Sequence, residues 1–151
     1  MNKQAGFTLV ELVVVIVILG LLAATALPKF INVTNQARGA SVEGVAGGLR
    51  SAASLAQAQY VLNGDNTATS VVMSGATVTT LSGTSVGGRP TATAAGISVA
   101  MPDPDGFDVP TFAAGVATYK PSGLPVTNVT CYVTYTAAST SDPVTEDTSG
   151  C

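Results

Sequence analysis

Glu11 is the only charge in the run Phe7 to Leu27, 21 residues that are otherwise apolar or small. A carboxylate placed in hydrocarbon costs a few kcal/mol, so an acid in such a setting calls for a cation or a hydrogen-bonding partner. Cys131 and Cys151 form an even pair at the other end of the chain. In a chain that crosses a membrane, such a pair reads as a disulfide made in an oxidising compartment. Closing a loop of about 20 residues contributes on the order of 3 kcal/mol in the chain-entropy account. Two unpaired buried thiols are the alternative. Asp103, Asp105 and Asp108 lie within six residues around Gly106, a spacing of hard oxygen ligands that could bind Ca²⁺. The stretch lacks the later bidentate Glu of an EF-hand, and an acidic Pro/Asp turn is the favoured reading, with no metal site expected. The sequence contains no His and no Trp, which removes the commonest general base, and its carboxylates are sparse. No catalytic constellation and no cofactor site is expected. The six cations, Lys3, Lys29, Arg38, Arg50, Arg89 and Lys120, are scattered against nine acids, so no nucleic-acid footprint exists.

The elements that must position these groups begin with a helix. Residues 7 to 27 would be ~31 Å long as a helix, the thickness of a bilayer's hydrocarbon core. Lys3 in the short stretch Met1 to Gly6 holds that end in the cytoplasm, which puts everything after Pro28 on the periplasmic or outer side. A secretory signal peptide also has a basic start and an apolar run, with Ala23-Ala24-Thr25-Ala26 as its cleavage region. Against it stand the length of the run and the acid four residues into it. Pro28 has no N–H to give the Ala24 carbonyl and biases Leu27 away from helical angles, and Gly20 has low helix propensity. The segment between them is where a break in the helix is expected.

Gly6-Phe7-Thr8-Leu9-Val10-Glu11-Leu12 resembles the signature of type IV pilins and pseudopilins. The resemblance implies that a prepilin peptidase cuts between Gly6 and Phe7, that Phe7 is N-methylated, and that Glu11 becomes the fifth mature residue. Cleavage would create a cationic amine on Phe7 at the depth of Glu11. Because an orphaned buried charge costs ~3 to 5 kcal/mol, an amine on an adjacent subunit paired with Glu11 would fix the axial register of assembly.

Beyond Pro28 the sequence predicts an amphipathic helix over 28–62. Val42, Val45, Leu49, Ala52, Ala56 and Tyr60 recur at spacings of 3 and 4, widened by Ala46 and Ala53, and this face should pack on a sheet. Gly44, Gly47 and Gly48 would allow close approach of a neighbouring element, and Asn63-Gly64 is a helix stop. Residues 63–151 then read as a β-rich head. Candidate strands are Ser70 to Met73, Ala76 to Leu81, Ile97 to Met101, Val116 to Tyr119 and Asn128 to Thr136, the last with clear alternation that puts Cys131 on the Val face. A long helix followed by a small antiparallel sheet is an α+β fold. The parts are therefore a leader 1–6, a membrane or filament-core helix 7–27, an amphipathic helix 28–62 and a head 63–151 with a disulfide loop 131–151.

Leu27-Pro28-Lys29-Phe30-Ile31-Asn32-Val33, Gln36-Ala37-Arg38, Cys131-Tyr132-Val133-Thr134-Tyr135 and Gly150-Cys151 resemble the mannose-sensitive haemagglutinin branch of type IV pilins. That resemblance implies an exposed disulfide-bounded loop, to which Asp142, Glu146 and Asp147 are suited. It further implies a homopolymer served by prepilin peptidase and inner-membrane assembly machinery. The precursor would sit in the inner membrane with its head in the periplasm, before export as a surface pilus of a Gram-negative bacterium for adhesion or motility. A type II secretion pseudopilin or minor pilin is the rival within this class, separated by whether filaments are visible. A membrane-anchored enzyme or binding protein is the rival outside it, and would need a substrate-dependent activity of the head.

Overall fold

The computed structural model describes residues 6–125, 127 and 130–151, with the side chains of 27–32 left aside. It falls into two compact units, Met1–Gln36 and Ala37–Cys151. Helix α1, Leu9–Asn63, contributes to both. Its start is closed by a reciprocal pair: the Glu11 N–H donates to Thr8 Oγ1 (3.2 Å), while the Thr8 N–H donates to Glu11 Oε2 (2.9 Å). Two orphan N–H groups of the first turn are thereby satisfied.

In the first unit the stretch Leu9–Ala26 is long and apolar enough to cross a membrane, and none of it is covered by protein. It is the one such helix among the described residues. α1 stays helical through Gly20 and Pro28 in this single chain. The leader residues 1–5, with Lys3, lie outside the described residues.

In the second unit all eight residues of the expected helical face, Val42, Val45, Ala46, Leu49, Ala52, Ala53, Ala56 and Tyr60, are buried. The helix ends at Asn63, and Gly64 takes the positive φ of 70° that closes many helices. Two sheets follow. β1 (Ser70–Met73) and β2 (Ala76–Thr79) form a hairpin whose turn, Ser74-Gly75, has φ of 49° and 84°. β3 (Thr111–Ala113), β4 (Val116–Tyr119), β5 (Tyr132–Thr136) and β6 (Val144–Asp147) form an antiparallel meander in sequence order. The β3–β4 turn, Ala114-Gly115, repeats the pattern with φ of 49° and 77°, as two-residue hairpins require.

The core forms where the helical stripe meets the inner face of the meander. Val42, Val45, Ala46, Leu49 and Ala53 share one cluster with Ala117, Tyr119, Val133, Tyr135, Val144 and the two cysteines. A second cluster joins Ala56 and Tyr60 to Val71 and Val78 of the hairpin. Gly88 is required here: it has φ of 81°, and a Cβ on it would overlap the Tyr60 side chain.

Three strand expectations need correction. Ile97–Ala100 is a short helix, α2, not a strand. The Ile97 N–H bonds the Thr91 carbonyl, and the chain folds back so tightly at Gly96 that any side chain there would strike Thr91. β2 ends at Thr79, because Thr80 bridges to Pro90 instead of a strand. β5 begins at Tyr132, and residues 128 and 129 of the expected strand lie outside the described residues.

Candidate assembly and processing sites

Gly6 and Phe7 lie ahead of the first helical turn, and both are exposed, Phe7 at 88%. A protease needs a reachable peptide bond, and among the described residues nothing comes within 4 Å of a Cβ built at Gly6. Next to it, Glu11 is not the orphan that its setting suggested. Its Oε2 accepts from both the Thr8 hydroxyl (2.7 Å) and the Thr8 N–H (2.9 Å). A carboxylate has about four acceptor sites, so Glu11 can also meet an ammonium. The Thr8-x-x-Glu11 spacing is the capping-box signal, and it was legible in the sequence.

The helix face opposite the core is bare. Ala40, Gly44, Gly47, Ser51, Leu55, Ala58 and Leu62 recur at 3 and 4 residues and are exposed, Leu55 at 61% and Leu62 at 80%. The three glycines divide between the two faces. Gly48 lies against the head, where a Cβ would stand 3.0 Å from Met101 Sδ, whereas a Cβ at Gly44 or Gly47 would meet nothing beyond its own helix within 4 Å among the described residues.

At the far end, Cys131 and Cys151 are disulfide-bonded with Cα atoms 4.8 Å apart. The bridged segment is also held by side chains. Arg50 on α1 bonds Asp142 (2.9 Å) and Glu146 (3.1 Å), and its Nη2 donates to the Val144 carbonyl (3.3 Å). The Asp142 carboxylate sits below its usual range, first because the Val144 N–H donates to it and then because Arg50 pairs with it. Arg50 is pushed up, chiefly by its hydrogen bond to Asp142. Arg89 donates to the carbonyls of Ser139 and Ser141. Sequence reading passed over both arginines, because nothing local marks a cation whose partners lie 50 or more residues away.

The aspartates do not converge. Among the described residues no group of three or more acidic, His or Cys side chains is placed to hold a metal ion, and that includes Asp103, Asp105 and Asp108. The local chain explains the residues: Gly106 has φ of 81°, Phe107 bonds back to Pro104, and the Asp108 N–H reaches Lys120, which makes a turn.

Residues 1–27 match the family model described as the prokaryotic N-terminal methylation motif. The chain is 50% identical over 57 residues to the type IV narrow pilus major component PilA5 of Thermus thermophilus, a match covering 38% of this chain and 49% of that protein. It is 44% identical over 54 residues to a fimbrial protein of Moraxella nonliquefaciens, covering 36% of this chain and 35% of the relative. A type IV major alpha-pilin of Moraxella bovis is 48% identical over 44 residues, 29% of this chain and 28% of its own length. The chain thus spans half or less of the curated relatives it matches, and no solved structure matches it. The chain carries the prokaryotic N-terminal methylation motif and is similar, over about a third of its length, to proteins named as type IV pilins.

Proposed function

We propose that this chain is a structural subunit of a type IV pilus, cut between Gly6 and Phe7, N-methylated on Phe7 and polymerised with copies of itself. The observation that carries the reading is Leu9–Ala26, an apolar helix with no protein covering it, which begins two residues after the exposed Phe7 of the Gly–Phe pair. Such a surface needs lipid before assembly and other helices after it. The similarity to a pilus major component and a major pilin supports the same role.

In this reading prepilin peptidase and inner-membrane assembly machinery are the partners, the precursor has its head in the periplasm, and the filament emerges on a Gram-negative cell. The chain works without a cofactor and catalyses nothing. The segments around Pro28 and between Cys131 and Cys151 favour the mannose-sensitive haemagglutinin branch, with adhesion as the use. Gly20 and Pro28 mark where α1 opens on assembly: Pro28 leaves one helical bond unmade, so this stretch is the easiest part of the helix to extend.

Glu11 has two duties in this reading, capping its own helix through Thr8 and receiving the Phe7 amine of a neighbour. Glu11→Ala should be cleaved normally at Gly6 yet give at least tenfold less filament. Electron microscopy of sheared surface material, with mass spectrometry of the mature N-terminus, measures both. Normal piliation in that variant would sink the Glu11 role. A processed chain that stays in the envelope without filaments would favour the pseudopilin or minor-pilin reading, and cleavage near Ala26 would overturn the assignment.

A further inference from the structure

The segment leading to Cys151 is fastened at several points that involve no sulfur. Arg50 grips Asp142, Glu146 and the Val144 carbonyl, and Arg89 grips the carbonyls of Ser139 and Ser141. β6 pairs with β5 in a register that sets Asp147 opposite Tyr132, next to Cys131. The Gly150 N–H then donates to the Thr130 carbonyl at 2.8 Å, and the approach is so close that a Cβ on Gly150 would overlap the Thr130 side chain. Each contact holds the segment that carries Cys151 close to Cys131, and none is made through a sulfur atom.

We propose that Arg50 is a positioning residue for the disulfide: it docks the segment carrying Cys151 against the sheet while both thiols are reduced, so that oxidation locks a segment already in place. The inference is independent of the pilus assignment. In the step itself each thiol loses a proton and an electron to a disulfide oxidant such as oxidised glutathione, which departs as two thiols as the S–S bond forms. The fastenings raise the effective concentration of one thiol at the other. Gly150 serves the same end sterically, by letting the last turn close over Thr130.

The full chain in detergent micelles can be equilibrated with mixtures of reduced and oxidised glutathione and its thiols counted by mass spectrometry. With two cysteines in the sequence, the readout belongs to this pair alone. Arg50→Met should lower the effective thiol concentration about three- to tenfold, given two partly exposed ion pairs and one further bond. Arg50→Lys should recover part of the loss, since an ammonium can hold one carboxylate but cannot fork to both. The pair Asp142→Asn with Glu146→Gln should reproduce the loss while leaving α1 unchanged. A shift below twofold in Arg50→Met would overturn the proposal, as would a large shift there with the carboxamide pair at the unaltered value, which would trace the effect to the helix rather than to the grip.

Discussion

Ala114 sits at φ of 49°, a left-handed conformation that an L-residue with a Cβ adopts at a cost of about 1–2 kcal/mol. It is exposed, at the first position of the β3–β4 turn, ahead of Gly115. Asn tolerates this region better, and Asn-Gly is the preferred pair for such hairpins. Ala114→Asn should therefore raise stability by about 0.5–1 kcal/mol, read as a higher urea midpoint with an unchanged slope. An unchanged or lower midpoint would mean that the Ala methyl has a packing role. At this scale the sequence disclosed residues whose signal is short in range. Cys131 and Cys151 were readable because an even pair in a membrane-crossing chain has few alternatives, whereas the short-range spacing of Thr8 and Glu11 was available but passed over. Asp103, Asp105 and Asp108 lie close in sequence, but that proximity does not by itself make carboxylates converge, and here they do not. Arg50 and Arg89 were silent because their partners are set by the tertiary fold.

Helix α1 was the most legible element, since its buried face repeats at helical spacing over Val42 to Tyr60 and ends at a recognisable stop. Leu49 is fully buried where that face meets β4 and β5. Leu49→Ala should cost about 2–4 kcal/mol, because the cavity opens beneath a sheet held by several other contacts and cannot easily collapse. Thermal melting of the oxidised protein tests this; a loss under 1 kcal/mol would place Leu49 outside the cooperative core. The β elements were less legible. β3 and β6 went unseen because one is three residues long and the other contains Glu146 and Asp147, poor strand formers. β6 is a strand because β5 supplies a partner and Arg50 binds its Val144 carbonyl. α2 was misread for the converse reason: Ile97 and Val99 favour strands, yet the fold-back at Gly96 leaves room only for a turn of helix.

Over the whole molecule, the ionisable groups bound a pH window. Asp142, Asp147 and Asp65 have carboxyls held below their usual range, Asp147 by Ser149 and Asp65 by Thr67. Their stabilisation is present above the ordinary carboxylate pKa of about 4 and fades as pH falls through the lowered values. Asp65 and Asp142 are exposed and Asp147 partly so, and the acid decline should be shallow. On the alkaline side, burial pushes up the phenols of Tyr119 and Tyr135, both fully enclosed. The unfolded chain then loses those protons first, and stability should fall steadily as pH rises above about 10. Urea midpoints measured from pH 3 to 11 should show a broad plateau with the steeper fall at the alkaline end. A decline beginning near pH 7 would contradict it, since with no His in the chain no side chain titrates there at its ordinary pKa.

The uncovered helix Leu9–Ala26 has an energetic corollary for the pilus reading. Lipid tails and the apolar side chains of a neighbouring copy are equally good solvents for it, so moving a subunit from bilayer to bundle changes its hydrophobic free energy little. Membrane store and polymer are then close to degenerate for this segment. Small polar differences, such as whether the spare acceptor sites of Glu11 meet an amine, are large enough to tip the exchange either way, and a subunit that can be drawn out of the membrane can be returned to it.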